Sequence, residues 1–494
     1  VSNRRLSVAI IGAGPAGLTA AYLLGKAGTV DVQVFEAHPT LVGGISRTES
    51  YKGFHFDIGG HRFFSKSKEV EDFWTEILGD EMLERPRSSR IFFNQQFFAY
   101  PLAAGEALRK LGVIEAARCV LSYLQAKMFP VANPKTFEDW VSNQFGKRLY
   151  QLFFKTYTEK VWGIPCSEIS ADWAAQRIQG LSLMAAIRNA LFPPKKKKGN
   201  DTVIKTLIDA FRYPKFGPGQ MWTVCKQKAE ALGVQVHMNT GVQTMQLNAD
   251  QSSWSLLLHD GQKMDGFNYV ISTAAIKDVI GHPASCFTKA MQQAAKALQY
   301  RDFLTVVLIL KDQQRFNDNW IYIHDPAVKV GRIQHFKSWS PYMVPDADKV
   351  CYGLEYFCFE GDGMWTATDA DLCQMAAQEL EHIGLGKASE VLDAYVVRQP
   401  KAYPVYNQDY LQQQQIIRDG LQAYPGLILV GRNGMHKYNN QDHSMMTAML
   451  AVKNILAGKN LYDVWQVNQD AIYHESGERG AEEGGRLVPV AVPH

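Results

Sequence analysis

The alternation of apolar and polar positions divides the chain into stretches of different period. Val8-Ala9-Ile10-Ile11 is a short unbroken apolar run, as carried by a strand buried on both faces. Gly12-Ala13-Gly14-Pro15-Ala16-Gly17 follows. Residues 18–24 then repeat apolar side chains at helical spacing up to a stop at Gly28. Residues 31–36 alternate at period two and predict a second strand. Strand, turn, helix and strand within about 30 residues make a βαβ unit. From about residue 103 to 191, helix formers dominate and apolar residues recur at three and four, which predicts a helical insertion. Residues 192–200 (FPPKKKKGN) interrupt it as a solvated loop or flap.

Short strands are expected over 234–238, 244–247, 254–258 and 269–272, with Asp260-Gly261 as a hairpin turn. Further alternating segments at 305–310, 320–324, 331–336, 350–359 and 392–397 predict a second, mostly antiparallel sheet. A buried strand at 427–430 and a helix over 444–456 close the pattern. The fold class is therefore α/β: a Rossmann-like domain with an inserted helical domain and a mostly antiparallel substrate domain. The expected boundaries are 1–102, 206–290 and 421–465 for the nucleotide-binding part, 103–205 for the helices and 291–420 for the second sheet. A Gly- and charge-rich tail spans 466–494.

Composition narrows the class. With 46% hydrophobic and 20% charged residues among 494, the chain can bury a core, which excludes wholesale disorder. A net charge of +3 gives no support to a global nucleic-acid or membrane-surface role. No apolar run reaches the roughly 18–20 residues of a membrane span, and the first is too short for a secretory leader, so a cytoplasmic protein is expected. The seven cysteines form no C-x-x-C pair and read as reduced, mostly buried thiols; no metal site is expected.

The chemistry-bearing residues begin with Gly12-x-Gly14-x-x-Gly17, where Pro15 and Ala16 open a helix directly after a strand. Glycines permit a tight turn and let a pyrophosphate approach free N–H groups at the helix N-terminus. Glu36, ending the second strand, is placed to accept from ribose hydroxyls. Gly43-Gly44-Ile45-Ser46-Arg47, then Asp57-Ile58-Gly59-Gly60-His61, and Tyr269-Val270-Ile271-Ser272-Thr273-Ala274 continue the series. This order resembles the FAD-binding families that include amine oxidases and desaturases.

Three further segments sharpen the resemblance. They are Gly59-Gly60-His61-Arg62-Phe63-Phe64-Ser65, the block Lys135–Trp140 through Tyr157, Lys160-Val161-Trp162-Gly163-Ile164-Pro165, Trp173 and Arg177, and Gly431-Arg432 through Tyr438-Asn439-Asn440-Gln441-Asp442-His443-Ser444. Together with Gly331-Arg332 and Ala402-Tyr403-Pro404 they resemble UDP-galactopyranose mutase, particularly the longer eukaryotic type, from the first strand to about residue 456. The resemblance implies reduced FAD as cofactor and a nucleotide-diphosphate sugar as substrate. It implies that flavin N5 attacks the anomeric carbon and that pyranose and furanose rings interconvert with no net redox. Arg177 and Arg332 match arginines that clamp the diphosphate, Arg432 one beside the flavin, and Tyr403 and Tyr438 tyrosines that bond the diphosphate. Asn440 matches an asparagine near the sugar, Trp162 a pocket-lining tryptophan and His61 the flavin-side histidine. Val242, Gln441, Asp442 and Ser444 join the implied cofactor contacts, the last three at a helix start that turns N–H groups toward the flavin. NADH or NADPH would serve as a transient reductant.

The departures cluster toward the nucleotide end. Leu102 and Ala103 stand where the eukaryotic enzymes carry an aromatic residue and a glutamine, Thr158 replaces an asparagine, and Trp339 replaces a tyrosine that meets the diphosphate. Losing a base-reading amide weakens uracil discrimination. The same FAD motifs fit an oxidase, dehydrogenase or desaturase of the amine oxidase or protoporphyrinogen oxidase kind, and also a non-catalytic flavin-binding protein.

Overall fold

The computed structural model describes residues 5–100, 104–171, 174 and 210–468. Arg177, Trp173, Leu102, Ala103, the loop 192–200 and the tail from 469 lie outside the described residues. The apolar run at the N-terminus forms strand Leu6–Ile11, the middle of a five-stranded, all-parallel sheet. Its order is Leu427–Leu429, Tyr269–Ser272, Leu6–Ile11, Val30–Phe35 and Gln235–His237. Central strands of such a sheet are covered on both faces, which is why their sequences lack alternation. Helix Pro15–Ala27 lies over Ile10 and packs against helices Gln441–Ala457 and Pro218–Ala231. On the opposite face Phe35 meets Phe267 edge to face, at 6.0 Å between ring centres. Phe267 ends an antiparallel sheet of Val242–Leu247, Trp254–Leu258 and Lys263–Phe267, the last two joined at Asp260-Gly261.

The second sheet has seven strands, in the order Val391–Pro404, Tyr300–Lys311, Lys349–Cys358, Arg332–His335, Trp320–Ile323, Ser89–Phe93 and Gln96–Ala99. All pairs are antiparallel except Trp320–Ile323 with Ser89–Phe93. The two faces differ chemically. Ile321, Ile333, Leu354 and Val306 form one core with Leu372, Ala376 and Leu380 of helix Asp369–His382. The adjacent row holds Tyr322, Arg332, Glu355 and Thr305 in register across four strands, and it faces the first domain.

The insertion is helical where described: Ala104–Leu111, Val113–Met128, Phe137–Phe145, then Lys147–Leu149 running through a π-helical turn, Tyr150–Lys155, into Thr156–Trp162. Thr136 starts the third helix by a capping box: Thr136 Oγ1 accepts from Asp139 N–H at 3.1 Å, and Asp139 accepts from Thr136 N–H at 3.3 Å. Gly163, at φ +67°, ends the last helix one residue after Trp162. Sequence periodicity missed the hairpin Thr48–Tyr51/Phe54–Asp57, the strands of 89–99 and strand Lys263–Phe267. Each is four or five residues long, and Thr48-Glu49-Ser50-Tyr51 has no buried residue to produce an alternation.

Candidate functional site

The nucleotide cradle is built by close backbone approach. A Cβ on Gly17 would lie 1.9 Å from Gly12 O, so the helix sits directly on the turn. Gly14 is the N-cap and has no side chain to spend on the helix start, and Pro15 follows at the first helical position. The first-turn N–H groups therefore face the turn, where an anion is favoured. Glu36 secures the turn: one carboxylate oxygen accepts from Ala13 N–H at 2.7 Å and the other from His38 N–H at 2.8 Å. Gly43 N–H donates to Ala13 O at 2.8 Å, bringing the Gly43-Gly44-Ile45-Ser46 turn onto the same loop. Arg47 behind it is nearly buried and bonds Glu49, Gln399 and, within the turn itself, Gly44 O. Thr240 N–H donates to Glu36 O at 2.7 Å, which carries Val242 to the Glu36 edge. Gly431, at φ +84°, closes the other side; a Cβ there would lie 3.3 Å from Ala16 Cβ.

The Gly59-Gly60-His61 loop passes between this cradle and the polar row of the large sheet. A Cβ on Gly59 would meet an Arg332 nitrogen at 3.5 Å, and one on Gly60 would meet Gln334 and Trp339 at 3.0 and 3.1 Å. His61 Nδ1 lies 3.1 Å from Gly59 O. Burial, then the nearby Arg432 and Arg332, push its pKa down to about 3, so the ring is neutral at ordinary pH. Behind the loop, buried Asp57 bonds the Tyr213 hydroxyl and accepts from Thr48 Oγ1 at 3.1 Å. Burial raises its pKa to about 8.

Arg332 extends from its strand to Glu355, with Nε to Oε2 at 2.5 Å, while Gln334 Nε2 donates to the other carboxylate oxygen at 2.8 Å. Glu355 is fully buried, and its charge holds the guanidinium in the charged form against the cost of burial. Arg432 reaches the same space from the cradle side. Its Nε donates to Asn439 O at 2.8 Å and it lies over the rings of Tyr438 and Tyr403, 4.9 and 5.4 Å from their centres. Those two rings stack at 5.5 Å and 19°. Trp162 is buried beside them, 5.9 Å from Tyr438 and 6.5 Å from Tyr403. Two arginines, two stacked tyrosines, a tryptophan and a neutral histidine thus meet where the two sheets and the helices come together.

Asn440 and the residues after it have a structural task. Asn440 is the N-cap of helix Gln441–Ala457, and its N–H donates to His443 Nδ1 at 3.3 Å. Ser444 N–H returns to Asn440 O, Gln441 Nε2 donates to Arg62 O, and Asp442 is buried. Trp339 is 1% exposed, its Nε1 donates to Asn319 O and Gln334 Oε1, and it stacks on Trp320. Thr158 is buried in its helix. Sequence reading missed Glu355, Tyr322 and Gln334. The signal for Glu355 was present, an acidic residue within the otherwise apolar run Gly353-Leu354-Glu355-Tyr356-Phe357. Among the described residues no group of His, Cys, Asp and Glu could hold a metal ion.

Residues 10–77 match the family model of NAD(P)-binding Rossmann-like domains. The chain is 25% identical over 280 residues to the 15-cis-phytoene desaturase of Glycine max, covering 54% of this chain and 47% of that protein. It is 28% identical over 173 residues to a Klebsiella pneumoniae protein described as a probable UDP-galactopyranose mutase, covering 34% and 43%. Each match thus spans less than half the length of the curated relative. Among solved structures, reduced UDP-galactopyranose mutase superposes with a TM-score of 0.78 at 21% identity, over 92% of this chain and 94% of that one. A putrescine oxidase variant superposes with a TM-score of 0.60 at 17% identity, over 92% and 100%. These likenesses establish the fold.

Proposed function

We propose that this chain is an FAD-dependent enzyme that interconverts the pyranose and furanose rings of a nucleotide-diphosphate sugar with the flavin reduced and no net oxidation. The observation that carries the reading is the meeting of Arg332, Arg432, Tyr403 and Tyr438 beside the Gly59-Gly60-His61 loop. The cradle fits FAD: Gly12, Gly14 and Gly17 would take the pyrophosphate at the helix start, Glu36 the ribose, and Gly43-Gly44, His61 and Gly431 would bound the rest. Bound and reduced, the flavin would supply a nucleophilic nitrogen, and NADH or NADPH would be its electron source. The resemblance to UDP-galactopyranose mutase supports the sugar and nucleotide. Arg177 belongs to this reading as the second clamp arginine.

This chain's own residues have separate tasks. Fixed guanidinium groups stabilise negative charge developing on a diphosphate leaving group, and do so more strongly in a site shielded from water. Arg332 is held in place by Glu355, and Arg432 by backbone carbonyls and two ring faces. Tyr403 and Tyr438 offer hydroxyls, and burial keeps the Tyr403 hydroxyl protonated as a donor. His61, neutral and beside two arginines, can donate or accept without adding charge to the site where the flavin would bind.

One observation favours a second reading, an oxidase, dehydrogenase or desaturase. Glu355 offsets the charge of Arg332 inside a pocket otherwise rich in aromatic rings, which suits a less anionic substrate. Titrating flavin-loaded protein with UDP separates the two. On the mutase reading, Arg332→Ala and Arg177→Ala each weaken UDP binding about 10- to 100-fold, the scale of a lost hydrogen bond to a charged group. Unchanged UDP affinity in both variants would favour the redox reading.

A further inference from the structure

Helix Val113–Met128 carries apolar residues on two opposite faces. Cys119 and Tyr123 are buried, and Cys119 joins the cluster that includes Trp162. Among the described residues, none covers the other side. Val113, Ile114, Leu121, Leu124 and Met128 are exposed, Val113 to 87% and Ile114 to 73%, and so is Ala117. At 3.6 residues per turn these six fill one arc of about 100° with no polar residue inside it. Phe129 and Val131, just past the helix end, are also exposed, Phe129 to 77%. An exposed apolar patch on the scale of a few hundred Å² is often a functional one.

Charge at the rim is of one sign. Arg118 borders one edge and Lys127 the other, both exposed, with exposed Arg109 on the preceding helix. The acidic residues of these two helices are tied: Glu115 by Arg148 and Arg118, Glu106 by Lys110. The stripe is also small. Sixteen residues make a helix about 24 Å long and about 10 Å wide, a footprint near 240 Å². A stable protein–protein interface takes about 800 Å² from each partner. A narrow apolar stripe with basic edges instead suits shallow insertion at the headgroup–acyl boundary of an anionic bilayer.

We propose that helix Val113–Met128 is a membrane-surface docking element, with Ile114, Leu121, Leu124, Met128 and Phe129 entering the boundary and Arg118 and Lys127 meeting anionic headgroups. This placement does not rest on the mutase reading and leaves the pocket's chemistry as it stands. It differs from a membrane span: among the described residues no helix is long and apolar enough to cross a bilayer.

The test is flotation of the flavin-loaded full chain with vesicles of phosphatidylcholine alone and with vesicles containing one-third phosphatidylglycerol. The protein is expected to rise with the anionic vesicles, not with the neutral ones, and to be released by added salt. Leu121→Ser with Leu124→Ser should lower the bound fraction at least tenfold. Arg118→Gln with Lys127→Gln should lower affinity about 25-fold, near fivefold per basic residue. These four side chains are solvent-facing, and unchanged flavin retention checks the fold of both variants. Equal flotation of wild type and both variants, or no flotation with either vesicle, overturns the proposal. So does a stable dimer in light scattering that the double serine variant dissolves, which would assign the stripe to a second copy.

Discussion

Arg332 and Glu355 stand directly opposite each other on neighbouring antiparallel strands, so the sheet register itself brings them together. Removing the carboxylate leaves a buried guanidinium without its main counter-charge, which costs about 3–5 kcal/mol where such pairs are fully desolvated. Glu355→Gln is therefore expected to lower Tm and also to tighten UDP binding, because the freed charge can turn to an anionic ligand. Thermal melts with and without UDP check both signs. Asp57 gives a pH signature. Its folded pKa is raised to about 8 by burial, well above the ordinary carboxylate value, so its contribution is full in acid and is lost as pH rises toward 8. Unfolding free energy should fall across that window by up to about 1.4 kcal/mol per pH unit, and Asp57→Asn should flatten the slope. Trp339 shows what reading residues in order leaves out. Its place matches a tyrosine that meets diphosphate, yet the indole fills the space beneath Gly60 and bonds Asn319 O, contacts that no local pattern reveals.

At the scale of elements, the strand–turn–helix start was legible because three constraints coincide: an unbroken apolar run, glycines at fixed offsets and a proline at the first helical position. Gly17→Ala tests the closest approach. With 1.9 Å between the added Cβ and Gly12 O, the helix must lift from the turn, and the purified variant is expected to carry less than a tenth of the wild-type flavin, read from its visible absorbance. Thr136→Ala removes one half of a capping box and should cost about 1 kcal/mol in a denaturant melt. Of the long strands of the second sheet, Lys349–Cys358 was expected at 350–359 and Tyr300–Lys311 only in part, at 305–310; each is buried at every position but one, so neither carries an alternation that marks its ends. The four-residue hairpins could not be read because their pairing, not their own sequence, makes them strands. Arg432, Tyr403 and Trp162 were legible only through their surrounding motifs, since an arginine across two tyrosine rings depends on chain segments about 30 residues apart.

For the whole molecule, the parallel sheet supplies the cradle, the antiparallel sheet supplies a polar row on one face, and the helices bring Trp162 to the junction. That division explains why the same fold accompanies different chemistries among its neighbours: the cradle can stay constant while the row and helices change. In this chain the row carries Tyr322, Arg332 and Glu355. The central claim is that this combination rearranges a sugar ring without oxidising it. The measurement that tests it most directly is chromatography of UDP-galactofuranose and a panel of other nucleotide sugars incubated with the flavin-loaded protein, reduced with dithionite under anaerobic conditions. The account predicts ring isomerisation of at least one member, absent with oxidised flavin, with the flavin still reduced at the end. No isomerisation across the panel, or full turnover by oxidised flavin with stoichiometric peroxide, would contradict it.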